Sequence, residues 1–249
     1  MHHTKFTADN YVPVPIHKLS VIMPAYNEAR TIVAVLDKIA AVKLLNGIVK
    51  EVIIVDDHSA DDTARVVDEY MLHNPGIDIR YYRHSKNRGK GAALHTGIGH
   101  ATGELLIIQD ADLEYDPADY NKLLEPVLAG RADVVYGSRF DGVAWWRFFG
   151  SWHLFGNMVL TMLSNMFTGL RLSDIETCYK LIPVPLIRSL RLTERGFGFE
   201  PEVTAHFARL KGIRVSEMGV SYRRRTVAEG KKIGWRDGLR AVWVIIRLR

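Results

Sequence analysis

The chain has 249 residues, of which 47% are hydrophobic and 24% charged, so it is long enough to bury a sizeable core as one large α/β domain or two small ones. A single cysteine, Cys178, excludes an internal disulfide and a cysteine-based zinc site, and it favours a reducing, cytosolic setting. The net charge of +5 is uneven, because residues 205–249 carry twelve Lys or Arg and only three acids. Such a cluster is typical of contact with phosphate groups, an anionic membrane surface or nucleic acid, although a solvated face would show the same charges.

Two segments need a check for membrane or export signals. Residues 1–18 are polar and lack an apolar core, which argues against a secretory signal. Residues 148–170 carry no Asp, Glu, Lys or Arg, but their polar residues recur at helical spacing and predict an amphipathic helix rather than a spanning one. These polar residues are His153, Asn157, Thr161, Ser164, Asn165 and Thr168.

Strands alternate with helices along the first half of the chain. Short apolar runs predict strands at residues 19–23, 52–55, 79–83 and 104–108. Each run is followed by a polar turn and a helical pattern, which predicts an α/β fold with a mostly parallel sheet flanked by helices and right-handed crossovers. The carboxyl ends of parallel strands share one edge of the sheet, where ligands bind in such folds. We therefore expect the polar turns to face one crevice.

The fourth strand is followed by Asp110, Ala111 and Asp112. On an extended backbone the two aspartates point the same way, and they would repel each other unless a cation lay between them. Carboxylate oxygens suit Mg²⁺ or Mn²⁺, which usually bind through one or two carboxylates together with substrate phosphates. The pattern therefore predicts a metal–diphosphate site, and the alternative is a solvated acidic turn.

The second half of the chain is less regular. It contains a helix starting at Pro117, a buried strand at 132–137, a helix at 197–210 and a last strand or strand pair at 213–222. We expect a single Rossmann-like domain at 19–222, with a nucleotide half at about 19–139 and a second half at about 140–222. An N-terminal extension (1–18) and a basic loop with a C-terminal amphipathic helix (223–249) flank it.

Several classes of nucleotide protein lack support. The first strand is not followed by Gly-x-Gly-x-x-Gly, which argues against a dinucleotide-dependent oxidoreductase. The segment Gly89-Lys90-Gly91 lacks the spacing and the hydroxyl of a P-loop, which argues against an NTPase. Nucleic-acid binding is not expected either, because the basic residues concentrate in the tail instead of alternating with stacking aromatic residues.

Five motifs occur in a specific order along the chain. They are Ser20-Val21-Ile22-Met23-Pro24-Ala25-Tyr26-Asn27-Glu28, Val55-Asp56-Asp57-His58-Ser59, Asn87-Arg88-Gly89-Lys90-Gly91, Asp110-Ala111-Asp112 and Gly137-Ser138-Arg139. Together they resemble family 2 inverting glycosyltransferases of GT-A fold. The chain is most similar to the dolichol-phosphate mannose synthase and polyprenyl-phosphate glycosyltransferase branch, over roughly residues 19–235.

The resemblance implies a nucleotide-sugar site with Mg²⁺ or Mn²⁺. Asp57 would hydrogen-bond the base, and Asp110 and Asp112 would handle the metal and the diphosphate. Glu114 would be a further metal ligand, although many relatives have Gln at this position, which leaves the metal preference open. The complete set predicted to bind the nucleotide sugar is Pro24, Tyr26, Glu28, Asp57, Lys90, Asp110, Ala111 and Arg139.

The resemblance also implies that residues at about 140–222 form the acceptor half, and that Arg225 and Lys231 are the cations for the acceptor phosphate. The predicted catalytic residues are Asp112, Arg139 and Asp174. Asp174 is the best candidate for a general base, but with a phosphate acceptor it would only orient neighbouring cations, because a phosphate monoester is already ionised at neutral pH. Structural alternatives remain for single residues, since Tyr26 could pack on the sheet edge, Glu28 could cap a helix, Asp174 could bind local amides and Arg225 could be surface charge.

The implied reaction is a metal-dependent single displacement that moves a hexose from GDP-mannose or UDP-glucose to polyprenyl or dolichyl phosphate. Two alternatives stay open: transfer to a hydroxyl acceptor in cell-envelope glycan synthesis, and a weakly active nucleotide-sugar-binding scaffold. A processive polysaccharide synthase is not expected, because the Gln-x-x-Arg-Trp motif of such enzymes is missing.

The C-terminal residues predict a basic amphipathic helix. Its apolar side carries Trp residues and its other side carries Arg, a pattern suited to a membrane interface. We expect a peripheral protein at the cytoplasmic membrane face, bound directly or through a membrane-protein partner. The alternative is that the helix packs on the domain or on a second subunit of a homodimer. The predicted apolar side consists of Trp235, Leu239, Val242, Trp243 and Ile246.

Overall fold

The computed structural model of the protein describes residues 15–140, 152–225 and 235–248. Lys231 and most of the predicted N-terminal extension lie outside these ranges, as does the side chain of Trp235. The strands are β1 (Lys18–Ala25), β2 (Val49–Asp56), β3 (Asp78–Arg83), β4 (Leu105–Ile108), β5 (Val134–Ser138), β6 (Lys180–Pro183) and β7 (Val215–Gly219). The α-helices are α1 (Ile32–Ala41), α2 (Thr63–His73), α3 (Lys90–His100), α4 (Tyr120–Leu128), α5 (Trp152–Thr168), α6 (Val184–Ser189), α7 (Phe199–Ala208) and α8 (Trp235–Arg247).

The seven strands form one sheet in the order β3-β2-β1-β4-β6-β5-β7. The first four strands along the chain pair in parallel, and β5 pairs in parallel with β7. Residues 52–55 and 105–108 are fully buried, as expected for strands covered on both faces. The predicted α/β architecture with a mostly parallel sheet and a C-terminal helix is therefore confirmed.

The sequence did not predict β6, which runs antiparallel between β4 and β5. This strand has only four residues, begins with a lysine and ends with a proline, so it carries no periodic signal. Lys180 is nevertheless fully buried. Its ammonium group donates to the carbonyl oxygens of Ile175 and Thr177 and lies 5.0 Å from the centre of the Tyr136 ring. These carbonyl oxygens and the ring compensate the charge inside the core.

Helix α3 approaches β1 too closely for a side chain at Gly97. A Cβ atom at Gly97 would lie 2.4 Å from Ile22 Cγ2, and Ile22 is completely buried in the strand. The helix is therefore fixed against the sheet at this position. Its first residue, Lys90, is consequently held at the carboxyl edge of the strands.

Replacing Gly97 by Ala should lower the free energy of unfolding by about 1–3 kcal/mol, because the new methyl group overpacks against a strand that cannot retreat. Gly99 provides a matched control in the same helix, since nothing lies within 4 Å of a Cβ atom there. Gly99→Ala should raise the free energy of unfolding by roughly 0.5–1 kcal/mol through helix propensity. Urea denaturation of both variants checks this, and equal effects would contradict the close approach.

Candidate functional site

A cleft of about 360 Å³ opens at the carboxyl ends of β1, β2 and β4. This edge is where ligands bind in parallel α/β sheets. Of the predicted site residues, Asp174 is absent from the cleft wall, and Lys231 lies outside the described residues. The predicted residues that line it are Pro24, Tyr26, Glu28, Asp57, Lys90, Asp110, Ala111, Asp112, Glu114, Arg139 and Arg225.

Asp110 directly follows β4, whereas Asp112 lies on a turn, so the two aspartates do not share one continuous extended segment as the sequence predicted. Strand β4 ends at Ile108, and Leu113 adopts a left-handed φ of 61°. The Asp112 carboxylate accepts a hydrogen bond from the Glu114 amide at 3.0 Å, which shapes the turn. Gln109, buried just before it, accepts hydrogen bonds from two tyrosine hydroxyls, those of Tyr120 and Tyr179.

Asp112 lies in a strongly negative environment. Burial and the charges of Asp110 and Glu114 raise the pKa of Asp112 to about 7. An acid in such a position is costly to ionise without a positive charge nearby. The Arg225 guanidinium lies 3.9 Å from Asp112 and relieves the repulsion only in part. The electrostatics of the turn therefore favour a divalent cation.

The acidic turn fits a metal that is shared between protein and ligand. Within residues 15–140, 152–225 and 235–248, no three His, Cys, Asp or Glu side chains are grouped so that they could hold a metal ion. Asp110, Asp112 and Glu114 therefore do not form a preassembled three-ligand site, and one oxygen of Glu114 accepts the Arg225 amide at 2.8 Å. Mg²⁺ and Mn²⁺ often bind through one or two carboxylates and substrate phosphates, which is the donor set that Asp110 and Asp112 can offer.

Lys90 is the cation next to Asp110. Its ammonium group lies 2.9 and 3.0 Å from the two Asp110 oxygens and 3.3 Å from Glu200 Oε1. Glu200 is the second residue of α7, and its side chain is buried. The structure gives it an ion pair that holds Lys90 at the cleft.

Asp57 shapes the loop 87–91, here called the donor loop. Its carboxylate accepts hydrogen bonds from the amides of Arg88 (2.9 Å) and Gly89 (2.7 Å). The ring nitrogen Nδ1 of His84 lies 2.7 Å from the same carboxylate. Gly89 has a φ of +93°, a conformation that favours glycine. Asp57 therefore orders the loop that leads into α3 in addition to lining the cleft.

Arg225 reaches the cleft from the segment that follows β7. Its guanidinium forms two hydrogen bonds with the Glu28 carboxylate, at 2.7 and 3.1 Å. The backbone of this segment lies along the acidic turn, since the amide of Arg223 donates to the Glu114 carbonyl at 2.8 Å. These contacts bring together residues 197 positions apart in the sequence.

Arg139 and Asp174 form a buried ion pair beside the cleft. The guanidinium donates to both Asp174 oxygens, at 2.6 and 2.7 Å, and Asn157 adds a third hydrogen bond at 2.9 Å. Burial alone would raise the pKa of Asp174, but the charge and hydrogen bonds of Arg139 outweigh burial and lower the pKa. Arg139 also lies over the ring of Tyr222, 5.2 Å from its centre. Arg139 lines the cleft, whereas Asp174 is fully buried behind it.

Sequence reasoning missed several residues of the site. Phe197 and Tyr222 line the cleft, and neither was singled out. Phe197 lies in the run Gly196-Phe197-Gly198, whose alternating glycines were the available signal. Tyr222 offered no signal, because only the tertiary structure places it over Arg139.

Solved structures show the same fold. Glucosyl-3-phosphoglycerate synthase from Mycobacterium tuberculosis, crystallised with Mn²⁺, UDP and phosphoglyceric acid, matches with a TM-score of 0.70 at 22% identity, covering 93% of this chain and 78% of that chain. A crystal structure of the same enzyme in complex with Mg²⁺ and UDP matches with a TM-score of 0.65 at 23% identity, covering 93% of this chain and 79% of that chain. At this identity the likeness shows the fold alone.

The names of the curated relatives refer to dolichyl, dolichol or dodecaprenyl phosphate. The chain is 34% identical over 148 residues to dolichyl-phosphate beta-glucosyltransferase of Dictyostelium discoideum, covering 55% of this chain and 45% of the relative. It is 27% identical over 216 residues to dodecaprenyl-phosphate galacturonate synthase of Rhizobium johnstonii, covering 86% and 61%. It is 32% identical over 123 residues to dolichol-phosphate mannosyltransferase of Pyrococcus furiosus, covering 49% and 33%. The chain thus spans between 33% and 61% of the length of these relatives.

The family assignment rests on a match across most of the sheet. Residues 20–185 match Glycosyl transferase family 2. This range includes most of β1, all of β2 to β6 and the acidic turn, and it accounts for more than half of the chain. The protein therefore belongs to Glycosyl transferase family 2.

Proposed function

We propose that the protein is a metal-dependent inverting glycosyltransferase that moves a hexose from GDP-mannose or UDP-glucose to a polyprenyl or dolichyl phosphate. The observation that carries the proposal is the cleft, where a pair of aspartates and three cations meet at one sheet edge. A nucleoside diphosphate leaving group and a phosphate acceptor are both anionic, and such a site suits both. The names of the curated relatives support the lipid-phosphate acceptor.

The donor side of the reaction depends on charge. Asp110 and Asp112 would hold Mg²⁺ or Mn²⁺, which supplies Lewis-acid stabilisation of the leaving diphosphate. Lys90 and Arg139 add positive charge to the same cleft. Their acidic partners Glu200 and Asp174 hold them in place before the donor arrives. Such preorganised charge is the usual main source of stabilisation for a developing anion.

The position of Asp174 favours a phosphate acceptor over a hydroxyl acceptor. A hydroxyl needs a general base within hydrogen-bond reach, and Asp174 is fully buried with its carboxylate bound to Arg139 and Asn157. A phosphate monoester has a second pKa near ~6 and needs no such base at neutral pH. We infer that Asp174 orients Arg139 towards the substrates.

Helix α5 faces its polar side inwards. Asn157, Thr161 and Ser164 are buried, whereas Met162 and Met166 are 69% and 68% exposed. Asn157 donates a hydrogen bond to Asp174, and the Thr161 hydroxyl accepts one from the amide of Ile175. These polar residues therefore hold the segment that contains Asp174 and Ile175. The apolar side of α5 is therefore left at the surface. An exposed apolar surface commonly marks a contact with a membrane or with another protein.

Helix α8 carries further exposed apolar residues. It packs against α5, buries Ala241, Val244 and Ile245, and exposes three large apolar residues. We call the exposed apolar residues of these two packed helices the apolar platform. Its members are Phe155, Met158, Val159, Met162, Met166, Phe167, Leu239, Trp243 and Ile246.

We propose that the apolar platform rests on an anionic membrane surface at the cytoplasmic face. The guanidinium groups of Arg240 and Arg247 lie 4.3 and 4.7 Å from the centre of the Trp243 ring, which joins positive charge to an interfacial aromatic residue. None of the described helices is long and apolar enough to cross a membrane. A platform of this kind would bring the cleft to lipid-bound acceptors.

A transfer assay tests the proposed function. Purified protein with Mn²⁺, polyprenyl phosphate and a panel of radiolabelled nucleotide sugars should place label in the lipid fraction with GDP-mannose or UDP-glucose. Asp112→Ala should lower this rate by at least ~10²-fold without changing the circular dichroism spectrum, because the leaving group loses its main stabilisation.

The matched control for the transfer assay is Asp116→Asn. Asp116 lies two residues beyond Glu114, is half-exposed and pairs with Lys38 outside the cleft, so this variant should keep its rate. If label appears in a soluble hydroxyl acceptor and never in the lipid fraction, the proposed polyprenyl or dolichyl phosphate acceptor is wrong. Nucleotide-sugar binding without transfer to any acceptor would indicate a scaffold.

Replacing Asp174 by Asn should lower the free energy of unfolding at pH 6 by about 3–5 kcal/mol, because Arg139 is left buried without its counter-charge. The pKa of Asp174 is lower in the folded protein than in the unfolded chain, where it is ~3.9. The contribution of Asp174 to the free energy of unfolding is therefore complete above the unfolded pKa, and it is lost as the pH falls through the folded pKa. Urea denaturation from pH 7 to pH 3 measures both effects. Glu125→Gln, in an exposed pair with Arg131, should change stability by about 0–1 kcal/mol. A similar loss in both variants would contradict the ion pair's role.

The apolar platform predicts lipid binding that single charges disrupt. Met162→Asp and Leu239→Asp should each lower binding to vesicles of anionic phospholipid by about tenfold or more, because a charged group enters the apolar interface. Leu72→Asp is the matched control, since Leu72 is 79% exposed on α2 away from the platform and should have no effect. Vesicle co-sedimentation measures this. Loss of a dimer, instead of loss of lipid binding, in the two platform variants would assign the surface to a second subunit.

A further inference from the structure

The loop Thr193–Gly198, here called the connecting loop, lies between α6 and α7 and contacts both the donor loop and α8. It also carries Phe197, which lines the cleft. The proposed chemistry gives no role to the rest of this loop. Its contacts, however, link α8, the last helix of the described residues, to the loop 87–91 at the cleft.

On one side, the connecting loop caps the first turn of α3. The carbonyl oxygen of Arg195 accepts the Ala92 amide at 3.0 Å, which satisfies one of the amides left free at a helix start. A Cβ atom at Gly89 would lie 2.5 Å from the Arg195 oxygen, and one at Gly91 would lie 2.5 Å from the Glu194 oxygen. The two backbones therefore touch, and a displaced connecting loop would free the donor loop.

On its other side, the connecting loop is held by α8. Arg240 donates two hydrogen bonds to the Glu194 carboxylate, at 3.0 and 2.8 Å. The Glu194 side chain is only 4% exposed, whereas that of Arg240 is 51% exposed. The amide of Glu194 donates to Glu202 at 2.8 Å, so its backbone is tied to α7 as well.

Removal of Arg240 would leave Glu194 as a buried carboxylate next to a second acid, Glu202. A buried charge without its partner is strongly unfavourable, and the simplest relief is movement of the Glu194 side chain towards water. Because the Glu194 and Arg195 backbone rests on Gly89 and Gly91, this movement would loosen the donor loop.

We propose that Glu194 and Arg240 are a positioning pair through which α8 holds the connecting loop against the donor loop and so sets the affinity for a nucleoside diphosphate. The inference rests on the proposed function, since that function makes residues 87–91 part of the donor site. It adds that α8, the helix that carries three of the nine residues of the apolar platform, also acts on donor binding. Docking of the platform and donor affinity would then be linked, because coupling between two sites is reciprocal.

The test compares Arg240→Gln with Arg214→Gln. Arg214 makes the same kind of contact, a two-bond pair with Asp133 in which the Arg side chain is 52% and the acid 8% exposed. That pair lies at the amino-terminal start of β5, at the sheet edge opposite the cleft. Arg240→Lys is a third variant that keeps the charge but loses the forked geometry.

Calorimetric titration of UDP and GDP in the presence of Mn²⁺, without lipid, gives the first readout. We expect binding on the order of fivefold weaker in Arg240→Gln, an intermediate value in Arg240→Lys and no change in Arg214→Gln. In the transfer assay, the KM for the donor should rise while kcat changes little. A general loss of stability would affect both glutamine variants alike and is therefore separated from positioning.

Hydrogen exchange gives a second readout that needs no nucleotide. Peptides covering residues 87–97 should exchange faster in Arg240→Gln than in wild type or Arg214→Gln, because the Ala92 amide loses its partner. Unchanged exchange, or faster exchange with unchanged nucleotide affinity, would overturn the inference. Failure of wild type to bind either nucleotide would instead overturn the proposed donor, and the exchange comparison would still decide whether the pair positions the loop.

Discussion

The negative charge of the turn after β4 is the constraint on which the rest of the site depends. Three carboxylates, those of Asp110, Asp112 and Glu114, lie within five residues at the end of a fully buried strand. Burial and the neighbouring charges of Asp110 and Glu114 raise the pKa of Asp112 and make its ionised state costly. Positive charge must reach the turn from elsewhere in the chain, and the fold brings it from α3 and from the segment after β7.

The cations that surround the cleft are held by acids of their own. Each pair joins segments far apart in sequence, so the positive groups are oriented before any ligand binds. Orientation in advance lowers the cost of ordering long side chains on binding, and it fixes charge where an anion develops. The pairs are Lys90 with Glu200, Arg139 with Asp174, and Arg225 with Glu28.

The same interactions explain the surface of α5. Its polar side is turned inwards because Asn157 bonds the buried Asp174 and Asn165 bonds the backbone of Leu172. Because the polar side of α5 is used to support the Arg139–Asp174 pair, its apolar side is left exposed at the surface. One helix in this way serves the site on its inner face and presents an apolar surface on its outer face.

Much of the fold and the identity of the acidic turn could be predicted from the sequence, because apolar runs mark buried strands and five motifs occur in a specific order. Local patterns did not reveal the short strand β6, the ion pairs of Lys90 and Arg225, or the connecting loop. They also predicted that α5 is amphipathic without showing which side faces the core. These features depend on contacts between residues that are distant in the chain, and only the packing of the sheet and helices decides which charges meet and which apolar surfaces stay exposed.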